Sequence, residues 1–181
     1  MKCYANVCKG RAMLDHYVID GYNIIFAWDH YQKMRTTALD HARDKLVETM
    51  SNFAAATGCL VTVVFDAHQV KAGVKKQEKV GKIIVYYTGQ DETADSLIEK
   101  LVGELSKKNR VYVATSDWDE QRIVFGRGAY RLTPKELLNQ INRARLDTKR
   151  HARTTAPGDD YLENRLGEEI RRKFEQWRRG K

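Results

Sequence analysis

Short, continuously apolar runs alternate along this chain with segments of helical period, and few folds accommodate that pattern. Residues 17–20 (Y-V-I-D), 60–66 (L-V-T-V-V-F-D), 83–87 (I-I-V-Y-Y) and 111–115 (V-Y-V-A-T) are rich in β-branched and aromatic side chains. They are too short for buried helices and lack the apolar/polar alternation of a half-exposed strand, so they read as strands covered on both faces. Between the first two lies a helix over about 38–57, where Leu39, Ala42, Leu46, Met50, Phe53 and Ala54 recur at three- and four-residue steps. Gly58 suits its C-terminal cap. Residues 94–105 repeat the pattern through Leu97, Ile98, Leu101, Val102 and Leu105. Thr133-Pro134-Lys135-Glu136 is a capping box with proline at the first helical position, and residues 126–130 lead into a short strand. The expectation is an α/β fold: a central, mostly parallel sheet with right-handed crossovers and helices on both faces.

With 42% hydrophobic residues in 181, the chain has enough apolar surface for one packed core. No apolar run nears the roughly 18 residues needed to cross a bilayer, so no membrane segment is expected. Cys3, Cys8 and Cys59 form no C-x-x-C pair, and an odd count argues against a disulfide scaffold. A reducing cytoplasmic setting follows. Cys3, Cys8 and His16 lack a fourth ligand and match no common zinc spacing. The expected layout is a disordered or mis-assigned extension over 1–13, a domain over 14–146 and a basic C-terminal helical arm over 147–181. Polar residues 147–160 form the hinge, and the arm's amphipathic part runs over about 161–178. A monomer is expected.

Lys and Arg number 32 against 24 Asp and Glu, a net charge of +8. The excess is clustered. Residues 71–82 (K-A-G-V-K-K-Q-E-K-V-G-K) carry five lysines and one glutamate, and Arg143, Arg145, Lys149, Arg150 and Arg153 surround a single Asp147. Residues 163–181 add seven basic and four acidic side chains. Solvated helix faces would account for the C-terminal cluster about as well as a polyanion would. The lysine segment follows the second strand and is read as a loop at that strand's carboxyl end, where Lys71, Lys75, Lys76 and Lys79 would grip a phosphate backbone.

The acidic residues carry the chemistry. Strand one ends in Asp20, strand two in Asp66 and strand four in Thr115-Ser116-Asp117, while strand three leads through D-E-T-A-D to Asp95 at a helix start. In a parallel sheet these ends emerge on one edge, where open α/β proteins bind ligands. Each acid has an innocent reading: Asp91 and Asp95 beside a helix dipole, Asp117 as a cap, Asp66 in a turn. Asp91 is the weakest candidate and Asp20 the strongest, because Asp20 ends a strand and is followed by Gly-Tyr-Asn rather than a clear helix cap. Four carboxylates on one edge repel one another unless a cation or raised pKa values relieve them, and hard oxygen donors favour Mg²⁺ or Mn²⁺. Carboxylate-held metal inside a basic protein fits phosphodiester hydrolysis. G-x-S-x-G, G-x-G-x-x-G and the P-loop pattern are all absent, and Ser116 has no obvious histidine partner. A phosphatase or phosphotransferase is disfavoured because D-G-Y puts no second aspartate two residues on.

The motifs D-G-Y-N (20–23), V-V-F-D-A-H (63–68), E-T-A-D (92–95) and A-T-S-D (114–117), together with the C-terminal F-E-x-W-R-R-G, resemble the NYN-domain nucleases, and within them the YacP-like branch of ribosome-associated mRNA endonucleases. The resemblance runs from about residue 14 to the C-terminus. It implies a PIN-like three-layer α/β/α fold and divalent-metal-dependent endoribonuclease activity on mRNA in the ribosomal A site, with rRNA as a contact. By motif position it makes Asp20 and Asp95 the essential acidic pair and places Asp66 and Asp117 on the metal-binding edge. Asn23 and Ser116 would position metal-bound water or phosphate. His68 is a further phosphate contact or a solvated loop histidine. Tyr22 is a base-stacking ring or packing beneath the site, and Trp118 is another stacking candidate. Trp28 and Trp177 are read as core or interface anchors. The rival reading is a non-catalytic RNA- or ribosome-binding module whose acids are structural.

Overall fold

The computed structural model describes residues 13–66, 76–89, 92–116 and 128–154, and in the C-terminal segment residues 170, 173, 176–178 and 180. The chain divides into two compact units, Met1–Arg145 and Leu146–Lys181.

Six strands form one sheet in the order β3-β4-β2-β1-β5-β6: β1 (Asp15–Asp20), β2 (Leu60–Phe65), β3 (Lys76–Val80), β4 (Ile83–Tyr87), β5 (Arg110–Ala114) and β6 (Tyr130–Leu132). All neighbours run parallel except β3, which returns antiparallel to β4 through a turn at Gly81 (φ +60°). Alternation along the strands feeds two cores. Tyr17, Ile19, Val61, Val63, Phe65, Ile83 and Val85 face α1 (Gly21–Ala27), α3 (Leu39–Thr57) and the start of α5 (Pro134–Thr154). Val18, Val64, Val111 and Val113 face α4 (Ala94–Leu105) on the other side. The result is the expected three-layer α/β/α architecture.

Helix boundaries follow local chemistry. α3 ends at Gly58, whose φ of +75° is the left-handed cap that glycine adopts without strain. α4 is capped by Thr93, whose hydroxyl accepts from the Ser96 N–H at 3.2 Å, and it buries Leu97, Ile98 and Val102. Each such side chain contributes about 1.5–3 kcal/mol on leaving water. The Thr133–Glu136 capping box forms reciprocally: the Glu136 N–H donates to Thr133 Oγ1, and the Thr133 N–H donates to Glu136 Oε2. Trp28 is buried and donates through Nε1 to the Pro134 carbonyl, locking α5 against the loop after α1. Trp177 is 81% exposed, so it is not a core anchor.

Three expectations need correction. Residues 21–37 hold α1, a 3₁₀ turn (Asp29–Tyr31) and α2 (Gln32–Thr37), none of which the periodicity disclosed. Residues 76–80 are strand rather than loop, because the antiparallel edge of β4 supplies partners that the charged run K-Q-E-K-V does not advertise. Helix α5 continues through Thr154, so the polar stretch expected to begin a hinge at 147 starts inside a helix.

Candidate active site

The parallel strands deliver their carboxyl ends to one edge of the sheet, and the cleft there is lined by Asp20, Tyr22, Asn23, Phe26, Ala27, Asp66, Ala94, Asp95 and Ser116. Its volume is about 540 Å³. A second depression of about 400 Å³ between α3 and the β3–β4 hairpin shares none of these residues.

Asp20 ends β1 and is the N-cap of α1: its Oδ1 accepts the Asn23 N–H at 3.0 Å. The reading that Gly-Tyr-Asn follows Asp20 in place of a clear helix cap is therefore corrected, because Asp20 is itself the cap of a helix that D-G-Y-N opens. Capping and burial act together here. Asp20 is only 8% exposed, and burial raises its carboxyl from the usual 3.8 to about 6, with the nearby Asp95 and Asp66 charges adding to the rise and hydrogen bonds from Asn23 opposing it. Gly21 permits the tight turn from strand into helix. A Cβ at Gly21 would lie 2.2 Å from the Phe65 ring, so only glycine lets α1 settle over β2.

Asn23 ties two strand ends together. A backbone N–H can only donate, so the Ser116 N–H, 3.1 Å away, identifies the accepting Asn23 atom as Oδ1. The Ser116 hydroxyl also hydrogen-bonds to that oxygen. The Asn23 side chain in turn hydrogen-bonds to Asp20, so one amide links the end of β1 to Ser116, the second residue past β5. Asp66 follows β2 and accepts the Ala94 N–H at 3.4 Å, which joins β2 to the first turn of α4. Asp95 lies in that same turn and is exposed.

Asp20, Asp66, Asp95, Asn23 and Ser116 are thus brought together, whereas Asp117, His68, Lys71, Lys75, Asp91 and Trp118 lie outside the described residues. Tyr22 is packing: it is 5% exposed, meets Phe65 edge-on at 5.3 Å, and accepts a hydrogen bond from Arg43 Nη1 at 2.8 Å. Its ring has no face to offer a base. The lysine run is not one loop at the active edge. Lys76 pairs with Tyr87 at that edge and is ion-paired to Glu78, but Lys79 pairs with Ile84, three rungs or about 10 Å along the strand. Sequence reasoning missed Phe26, which is 46% exposed on the rim of the cleft. Helical phase alone does not single it out, because it lies about 40° round the helix from buried Tyr22 and about 60° from Asn23, at the border of the buried face.

The donors fit a hard divalent cation. All are carboxylate, amide or hydroxyl oxygens, and a buried carboxylate beside two others is stabilised by positive charge. Among the described residues no group of three or more His, Cys, Asp or Glu side chains is placed to hold a metal ion together. The arrangement suits an ion that keeps several waters and takes only one or two carboxylates from the protein.

The profile of the YacP-like NYN domain family matches residues 17–179. The chain belongs to that family. NYN domains form a nuclease superfamily whose members generally use divalent metal ions. Among relatives, YacP of Bacillus subtilis (strain 168) is 38% identical over 168 residues, which cover 92% of this chain and 98% of YacP. The crystal structure of Rae1 (YacP) from Bacillus subtilis superposes with a TM-score of 0.68 at 38% identity, covering 92% of this chain and 96% of that one. A tryptophan-to-leucine mutant of the same Bacillus subtilis protein gives a TM-score of 0.67 at 35% identity, over 78% of this chain and 83% of that one. These matches share the mixed α/β fold with its mostly parallel six-stranded sheet. Among the described residues no helix is long and apolar enough to cross a membrane.

Proposed function

We propose that this family member is a divalent-metal-dependent endoribonuclease that cleaves mRNA in the cytoplasm, in the A site of the translating ribosome. The observation that carries the reading is the convergence of Asp20, Asp66 and Asp95 on one cleft at the carboxyl edge of the sheet, in a chain of a nuclease superfamily.

One or two of these carboxylates, buried Asp20 among them, would hold Mg²⁺ or Mn²⁺ directly, and the others of Asp66, Asp95 and Asp117 would reach it through its water shell. When bound, the ion supplies Lewis-acid activation of the attacking water and neutralises charge growing on the scissile phosphate. The protein's own groups set the geometry. The Asn23 N–H fixes one Asp20 oxygen, and the Asn23 amide holds that carboxylate in register with Ser116. The Ser116 hydroxyl, exposed at the cleft, donates its hydrogen to Asn23 Oδ1, so its oxygen would accept from and orient a water molecule, and contact with a phosphate oxygen would require that hydrogen to turn away from Asn23. Burial keeps bulk water from Asp20, which strengthens its interaction with any cation drawn in. The net charge of +8 favours approach of an RNA backbone, and Lys76 stands nearest the active edge among the described lysines of the 71–82 run.

The test is cleavage of a translated mRNA by the unsubstituted protein and by Asp20→Asn, with and without ribosomes, in Mg²⁺, Mn²⁺ or chelator. Cutting that requires metal and Asp20 is the expected result, and the ribosome comparison locates where the enzyme acts. Ribosome binding without cutting in any condition would replace this reading with a non-catalytic binding module.

A further inference from the structure

The acidic cleft has a second wall that phosphate chemistry does not use. Ala27 and the ring of Phe26 line it opposite in character to the carboxylates, and Phe26 leaves 46% of its surface in water. Folding does not require a phenylalanine there. The face of α1 that builds the core consists of Tyr22, Ile24 and Ile25, with Trp28 just beyond, all at most 5% exposed. Single exposed apolar side chains are ordinary on protein surfaces. Of the large apolar side chains left exposed among the described residues, however, Phe26 alone lines this cleft.

We propose that Phe26 is a stacking platform for an unpaired nucleobase adjoining the phosphate that a cation at the Asp20, Asp66 and Asp95 edge would hold. The inference rests on the nuclease reading of the cleft. Three features support it. Phe26 lies about one turn from Asn23, ~4.5 Å along the helix axis, and both side chains line the same cleft as the carboxylates. Its ring lies 6.5 Å from that of Tyr22 at 32°, and Tyr22 is itself held by Phe65 and Arg43, so the platform is braced from the core side. A nucleotide joins an anion to a flat apolar ring, and the cleft sets the carboxylates that would hold a divalent cation for that anion beside an apolar ring. Phenylalanine offers no hydrogen-bonding group, so the platform accepts any base, provided that the base is unpaired. Phe26 thus selects single-stranded RNA without reading its sequence.

The experiment measures binding of a fluorescein-labelled single-stranded oligoribonucleotide of about ten nucleotides by anisotropy. The protein is the full chain carrying Asp20→Asn in Mg²⁺, so that the strand stays intact. Adding Phe26→Ala is expected to weaken binding about 5- to 100-fold, whatever the sequence. Phe26→Leu, which keeps apolar bulk but no π face, should resemble alanine, and Phe26→Tyr should bind like the parent. Oligonucleotides with one abasic site at successive positions complete the test. At a single position the abasic site should cost the parent as much as Phe26→Ala does, and should cost Phe26→Ala nothing more. Parent-like binding by Phe26→Ala, or by Phe26→Leu alone, would overturn the stacking role, as would losses that add at every abasic position. The nuclease reading would survive those results if the Asp20-intact protein cleaves RNA. If the parent does not bind and the Asp20-intact protein does not cleave, both readings fall together.

Discussion

Asp20→Asn should make the metal-free protein more stable while removing the group proposed as most important for cleavage. Burial beside Asp95 and Asp66 raises the Asp20 carboxyl from 3.8 to about 6. At a pH between these values the folded state holds a proton that the unfolded chain has released. The stability that this proton contributes is complete below 3.8, falls as pH rises through about 6, and is gone above it. At about 1.4 kcal/mol per pH unit, ionised Asp20 costs the fold up to about 3 kcal/mol at neutral pH. Asparagine removes that cost and still caps α1, because its side-chain oxygen can accept the same Asn23 N–H. For a chain of this size about 3 kcal/mol corresponds to a rise in Tm of about 6–12 °C. The assay is calorimetric melting of both proteins in chelator across the acid-to-neutral range. The asparagine variant should melt higher at neutral pH, and the gap should close as pH falls toward 3.8. Added Mg²⁺ should narrow the neutral gap by stabilising the aspartate form more than the asparagine form, which keeps Asp66 and Asp95. An asparagine variant that melts at or below the unsubstituted protein at neutral pH, or a gap independent of pH, would show that burial does not strain the ionised carboxylate.

His16 gives the opposite pH response. Burial lowers it from 6.5 to about 4, Nε2 is bonded to Thr62 Oγ1 at 2.9 Å, and buried Nδ1 has no hydrogen-bond partner among the described residues. Its contribution is complete above 6.5 and is lost as pH falls through about 4, at most about 3 kcal/mol. In the Asp20→Asn background, where the opposing carboxyl is silent, His16→Phe should flatten the acid side of the Tm profile. Gly21→Ala drives its Cβ into the Phe65 ring at 2.2 Å and should destabilise by about 1–3 kcal/mol, with Phe65→Leu restoring part of the loss in chemical denaturation. Neutralising Lys71, Lys75, Lys76 and Lys79 together should lower the salt dependence of RNA binding. Lys79→Gln alone should leave it unchanged, because that side chain sits three rungs from the active edge.

Much of the fold was legible because its signals are local. Continuous apolar runs marked β1, β2, β4 and β5 to within a few residues, three-and-four spacing marked α3 and α4, and Gly58 and Thr133 marked their helix ends. The same strands placed the acidic residues at one edge, since parallel neighbours must end on the same side. β3 was not legible: K-Q-E-K-V has no apolar period, and its charges are what protects an exposed sheet edge. α1 was hidden by its brevity and by Gly21 at its first position, which reads as a turn until Phe65 is seen against it.

The α/β class, the strand ends and the acidic constellation could all be read from the chain alone, because backbone propensity, side-chain period and strand direction act over a few residues. Which members of that constellation meet, and what surrounds them, emerged only on folding. Tyr22 and Phe26 are both aromatics on one short helix, yet one packs under Arg43 against Phe65 and the other opens onto the cleft. Asp20 is an ordinary carboxylate in the unfolded chain and titrates near 6 only when the fold excludes water and brings Asp66 and Asp95 beside it. Helix phase against a neighbouring element and burial among distant charges are long-range properties, and no window of sequence contains them.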